Sequence, residues 1–154
     1  MSRTTKQSTA RVRDYYDGGL IQLNNVVVPS KRVGYKKEGN LLVAAVPLGV
    51  PAFEEAIRLN FATPLPKWPL VGRVLVAIAI NLPKSEYATK DVDNMAKAIL
   101  DAFKGIAYGD DKQIDCLYVS KTVAEEWRVL MALKSLGDDP KSWFLEPVLE
   151  FEHP

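Results

Sequence analysis

The sequence predicts a single domain of the α/β (α+β) class, with a mixed β-sheet of about four to five strands and two main helices. Three observations predict it. Residues 71–82 alternate Val74, Val76, Ile78, Ile80 and Leu82 on one face, and Leu75, Ala77 and Ala79 make the other face apolar too, as in a strand inside a covered sheet. Residues 90–104 place Val92, Met95, Ala96, Ile99 and Phe103 on one stripe, as in an amphipathic helix. A chain of 154 residues, 47% hydrophobic and 25% charged, is long enough for one core and is neither disordered nor fibrous in composition.

The remaining elements follow in order. Residues 1–19 are polar and basic without periodicity and read as a flexible tail. The β-rich run 20–28 stops at Pro29 and reads as a strand. Residues 30–37 form a basic loop, and the apolar run 41–47 is a strand or a pairing edge. Pro51 suits the first turn of a helix on which Phe53, Ala56, Ile57 and Phe61 share a face. Pro64, Pro66 and Pro69 then impose an extended connection to the strand at 71–82. Past the second helix, 113–122 and 127–133 read as two strands, with Thr122–Glu126 short enough to close a hairpin between them. The domain is thus bounded at 20–135, with a C-terminal extension over 136–154.

Composition excludes several chemistries. Cys116 is the only cysteine, which leaves no internal disulfide and no thiolate metal cluster and suits a reducing cytoplasm. His153 is the only histidine and lies at the chain's end, which excludes a Ser-His-Asp triad or a two-histidine zinc site. No apolar run reaches the roughly 18 residues of a membrane span, and the first residues lack the apolar stretch of a secretion signal, so no membrane partner is expected. Trp68, Trp127 and Trp143 lack interleaved basic residues and read as packing, as does Cys116. The net charge of +1 hides an asymmetry: the first 90 residues carry +7 and the rest −6. Such a split accommodates a basic surface for a polyanion and an acidic cluster for a cation, or ordinary solvated faces.

The acidic half concentrates in one constellation. Asp91 stands where a helix N-cap belongs, and Asp93, Lys97, Asp101 and Lys104 line the helix face opposite the apolar stripe. The turn Gly105–Lys112 then leads into the strand at 113, so Asp110 or Asp111 returns towards Asp91 and Asp93. Three carboxylates meeting without histidine or thiolate form an oxygen-only site suited to Mg²⁺ or Mn²⁺. Each piece also has a plain structural reading: a capped helix, i,i+4 ion pairing worth a few tenths of a kcal/mol, and a turn.

Residues 91–121, running D-V-D-N-M-A-K-A-I-L-D-A-F-K-G-I-A-Y-G-D-D-K-Q-I through to V-S-K, resemble the signature of the RusA family of Holliday-junction resolvases. The shared landmarks are D-x-D-N, a lysine four residues after the second Asp, D-A-x-x-G, and a D-D-x-Q-I turn. Val28-Pro29-Ser30-Lys31 and the strand at 71–82 also resemble the family's earlier segments, so the likeness covers roughly residues 20–133. It departs at Lys90, where many relatives carry proline, and at both ends of the chain.

The resemblance implies a homodimeric, Mg²⁺-dependent endonuclease (Mn²⁺ a possible substitute) of DNA recombination and repair. It would nick four-way junctions in pairs and be encoded by a bacterium or a phage, with no organic cofactor. It puts the metal ligands at Asp91, Asp93 and Asp111 and the functional lysine at Lys97, these four being the catalytic set. Lys31, Arg32, Lys36 and Lys37 are candidates for phosphate contacts or simply a solvated loop. Other branched substrates, flaps and forks, and a non-catalytic junction-binding module are the alternatives.

Overall fold

The computed structural model describes residues 7–15, 18–31, 34–45, 49–62 and 65–137. In chain order its elements are β1 (Thr9–Arg13), β2 (Gly19–Asn24), β3 (Gly34–Glu38), β4 (Leu41–Ala45), α1 (Val50–Asn60), β5 (Val74–Leu82), α2 (Lys84–Tyr87), α3 (Val92–Phe103), a 3₁₀ turn (Asp111–Gln113), β6 (Ile114–Val123) and β7 (Arg128–Ser135). A mixed sheet runs β1-β2-β7-β5-β6, and β3 and β4 form a separate two-stranded ribbon. The α+β class and the five-stranded mixed sheet agree with the sequence. Among the described residues the α-helices number three, because the four-residue α2 precedes the longer α3.

The doubly apolar β5 takes an interior position, as its pattern requires. It pairs in parallel with β6 on one side and antiparallel with β7 on the other. The segment joining β5 to β6 carries α2 and α3, the crossover that a parallel pair needs. On the helix-covered face, Val74, Val76, Ile78, Ile80 and Leu82 pack with Phe53 and Ile57 of α1 and with Met95, Ile99 and Phe103 of α3. The rings of Phe61 and Phe103 meet edge-on at 5.1 Å. On the opposite face, Leu20, Leu75, Ala77, Leu130 and Ala132 form a second cluster, with Cys116 packed against it. Trp68 and Trp127 are buried packing residues, as expected. No helix among the described residues is long and apolar enough to cross a membrane.

Four expectations are corrected. The span 1–19 is not all tail: Thr9–Arg13 pairs with β2, its polar residues alternating outward along a sheet edge. The strand expected over 20–28 stops at Asn24, because Asn25 takes a left-handed conformation (φ 55°) that breaks the ladder. The basic loop 30–37 contains β3, which turns at Gly39 (φ 61°) and pairs with β4. Finally, β6 and β7 do not form a hairpin. The connection passes over the end of β5, where Ala124 N–H donates to Leu82 O at 2.9 Å, and so supplies a partner to each edge of the apolar strand. Arg32, the first six residues and the extension from 138 onward, with Trp143 and His153, lie outside the described residues.

Two glycines permit the close approach of β2 to the sheet. A Cβ on Gly18 would collide with the carbonyl of Leu133, and one on Gly19 would stand 2.7 Å from the ring of Trp68.

Candidate functional site

The side of α3 that carries Met95, Ala98, Ile99, Ala102 and Phe103 packs into the core, and an adjoining side fronts an open cleft beside β6, where Val92 and Ala96 of the expected apolar stripe also lie. The cleft, of about 390 Å³, has Asp93, Lys97, Asp101 and Asp111 as its polar residues. Asp93, Lys97 and Asp101 reach it together because they are spaced by four along the helix. Asp111 reaches it from the 3₁₀ turn at the foot of β6. Its apolar floor comes from both elements, through Ala96 and Leu100 of α3 and Leu117 and Val119 of β6.

The paired aspartates of the turn divide their tasks. Asp110 caps the 3₁₀ turn, accepting from Lys112 N–H at 3.0 Å, and that backbone bond, with a further one to the Asp111 side chain, holds its carboxyl below the usual value. Gln113 completes a capping box: its Oε1 accepts from the N–H groups of Gly109 and Asp110, both at 2.9 Å. Its Nε2 donates to Leu70 O and Gly72 O, also at 2.9 Å, which fastens the turn to the approach to β5. The turn's shape therefore rests on Asp110 and Gln113, while Asp111 lines the cleft.

Asp91 holds the N-cap position with extended backbone, yet its side chain makes no capping hydrogen bond. Its Oδ2 accepts from Asn94 Nδ2 at 3.3 Å. Among the described residues no three His, Cys, Asp or Glu side chains are grouped closely enough to hold one ion. Asp93 and Asp111 line the cleft, and Asp91, just before the helix, is not among its lining residues.

Lys97 is half exposed and ion-paired with Asp101 at 3.6 Å. Lys31, a candidate phosphate contact, bonds instead to Asp101 at 2.8 Å and Glu54 at 3.2 Å, and its backbone N–H donates to Asn94 O. Burial works against its charge, but the hydrogen bonds to Asp101 and Glu54 outweigh it and raise its pKa above the usual lysine value. Beneath Asp101 lies Tyr108, fully buried, its hydroxyl donating to Leu100 O at 2.6 Å. Burial, reinforced by the carboxylates of Asp101 and Asp111, pushes its pKa far up. Lys36 and Lys37 lie on β3, where Lys37 is exposed. Sequence reasoning gave Asp101 only an ion-pairing role, although its spacing from Asp93 and Lys97 placed it on the cleft. It missed Glu54, whose partner Lys31 is distant along the chain, and Tyr108, whose hydroxyl turns back to the carbonyl of Leu100 in α3.

Fold and cleft together define a class: a small α+β domain in which a crossover helix and the turn after it present carboxylates and a lysine to one open groove. The family model described as Endodeoxyribonuclease RusA matches residues 25–134, which hold all of these groups. The chain belongs to the RusA endodeoxyribonuclease family. It is accordingly an endonuclease that resolves Holliday junctions, the branched DNA of recombination, and its family is bacterial or phage. No curated protein matches the chain.

Proposed function

We propose that the chain resolves four-way junctions by Mg²⁺-dependent hydrolysis, as a homodimer that nicks two opposed strands in pairs. The observation that carries this reading is the meeting of Asp93, Lys97 and Asp111 in one open cleft within the family-matched segment. The donor set fits the ion: the cleft offers carboxylate oxygens and neither imidazole nor thiolate. Mg²⁺ characteristically takes one or two protein carboxylates and fills its remaining positions with water and substrate phosphate, so the Asp93–Asp111 pair suffices as a core. Asp91, directly before the helix, would complete the set, its carboxylate being unspent on capping. Mn²⁺ would substitute, since it favours the same hard ligands.

When bound, the ion supplies charge neutralisation of the scissile phosphate and a more acidic water. The chain's own residues do the rest. Asp93 and Asp111 would hold the ion at the cleft, where it would draw the scissile phosphate towards Lys97. Lys97 donates N–H to a phosphate oxygen and stabilises the charge that builds there, steadied by Asp101. The apolar floor keeps the groove's base free of competing hydrogen-bond partners. By analogy with the family, the products carry a 5′-phosphate and a 3′-hydroxyl. A four-way junction has two-fold symmetry, which a C2 dimer would match with two equivalent clefts. Exposed Lys37, with Arg32 and Lys36, would contact phosphates beyond the cleft. The enzyme would act in the cytoplasm of a bacterium, encoded by the host or by a phage.

The test is cleavage of a labelled synthetic junction with Mg²⁺ or EDTA, against flap and linear duplex controls. Paired, Mg²⁺-dependent nicks with the duplex spared are expected, and a preference for flaps would redirect the reading to other branched DNA. Asp93→Asn should abolish cleavage yet keep or strengthen junction binding, because it removes a negative charge from the phosphate's path. Joint loss of binding and cleavage in a folded variant would count against a metal-holding role.

A further inference from the structure

Lys121 is a charged residue at an inward position of a strand. In the register of β6 it stands opposite Ile80 of β5 and shares the helix-covered face with Val119 and Val123. A cation there needs partners, and its partners are main-chain oxygens: Nζ donates to Tyr87 O at 2.9 Å and to Lys90 O at 2.8 Å, and lies 4.2 Å from the centre of the Tyr87 ring. The first carbonyl is that of the last residue of α2, and the second belongs to the residue directly before Asp91. A second lysine ties the same segment down from outside. Lys90 Nζ donates to Val28 O at 2.7 Å, stands 3.5 Å from Glu86 and lies over the Trp127 ring, whose N–H donates to Glu86 at 2.6 Å.

We propose that Lys121 is a positioning residue for the metal-holding carboxylates: by clamping Tyr87 O and Lys90 O it sets where α3 begins, and so where Asp91 and Asp93 stand relative to Asp111. The proposal rests on the reading of these aspartates as Mg²⁺ ligands. The geometry suits it because β6 carries both ends of the device, with Asp111 in the turn at its foot and Lys121 near its far end. The start of α3 is thus referred to the same strand that presents Asp111. Mg²⁺ tolerates little error in ligand placement, and partners one shell out from a metal typically govern about 10–100-fold in affinity or activity.

The charge of Lys121 and its geometry predict opposite signs. Removing a cation near a carboxylate site strengthens cation binding by Coulomb's law, whereas loosening the carboxylates weakens it. The experiment is a Mn²⁺ titration of the DNA-free protein, followed by electron paramagnetic resonance, in wild type, Lys121→Met, Lys121→Arg, Asp91→Asn and Asp93→Asn. Lys121→Met should weaken Mn²⁺ binding by about tenfold and raise half-saturating Mg²⁺ for junction cleavage in parallel, with junction affinity in EDTA unchanged. Lys121→Arg, which keeps the donors, should recover most of the loss. Equal or tighter Mn²⁺ binding by a folded Lys121→Met overturns the inference, as does weaker junction binding in EDTA, which would mark a phosphate contact. If Lys121→Met does not fold, Lys121→Gln, which keeps a donor, is read by the same criteria. Mn²⁺ binding unaltered in both aspartate variants would defeat the metal reading itself. Loss in Asp93→Asn alone, with Asp91→Asn and Lys121→Met unaltered, would defeat only the positioning role.

Discussion

Asp101 Oδ2 bonds Lys31 at 2.8 Å and forms an ion pair with Lys97 at 3.6 Å, and of the two lysines Lys97 lines the open groove. The carboxylate thus aims Lys97, and Lys31 in turn anchors the carboxylate. Asp101→Asn should lower kcat for junction cleavage by roughly tenfold, short of the ~10²–10³ lost when an electrostatic donor is removed outright. Its effect on half-saturating Mg²⁺ should be small, since Asp101 is not among the proposed ligands; single-turnover rates across a Mg²⁺ series would check both. At this scale the sequence was partly legible. The i,i+4 spacing put Asp93, Lys97 and Asp101 on one helix face, and the cleft holds them there. What spacing could not supply was the partner of Lys31, because Asp101 lies 70 residues further on and only the folded chain brings them together. It was also silent on the side-chain direction of Asp91, which turns to Asn94 rather than towards the cleft.

At the scale of elements, the patterns that held were the ones in which burial is nearly complete. β5 and α3 show it, with buried faces that match the apolar stripes of the sequence. β1 was illegible because an edge strand with polar residues outward resembles a tail until its neighbour is known. The link between β6 and β7 was misleading for another reason: four residues suit a hairpin and suit equally a passage over the end of one intervening strand. The close approach of β2 to β7 offers a test of that arrangement. Gly18→Ala should destabilise the protein by about 2–3 kcal/mol, because the added carbon meets a backbone carbonyl that cannot rotate away. Urea unfolding of the variant measures it, and a cost below about 0.5 kcal/mol would mean that the strand ends yield freely.

For the whole molecule, two groups that the fold keeps protonated, buried Tyr108 and half-buried Lys31, set an alkaline limit. Burial raises the pKa of Tyr108 above its ordinary 10.0, and its bonds to Asp101 and Glu54 raise that of Lys31 above 10.5. In both cases the folded state holds its proton longer than the unfolded chain does. The stability they contribute is therefore complete below about pH 10 and is lost as pH rises through the folded values. Urea midpoints measured from about pH 9 upward should fall along this limb, and Tyr108→Phe should make the fall shallower; an unchanged slope would refute the assignment. The acidic side carries a counterpart in Asp110, whose lowered pKa favours the folded turn above the ordinary value of 3.8 and ceases to do so as pH falls through the folded one.

The position of β7 bears on the order in which the molecule comes into being. It is the last strand among the described residues and it occupies the middle of the sheet, between β2 and β5. Until residues 128–135 have been made, β2 and β5 each lack the neighbour that joins the two halves into one sheet. A chain halted before that point is not a smaller version of the enzyme but two fragments with open edges, which is the form most prone to aggregate.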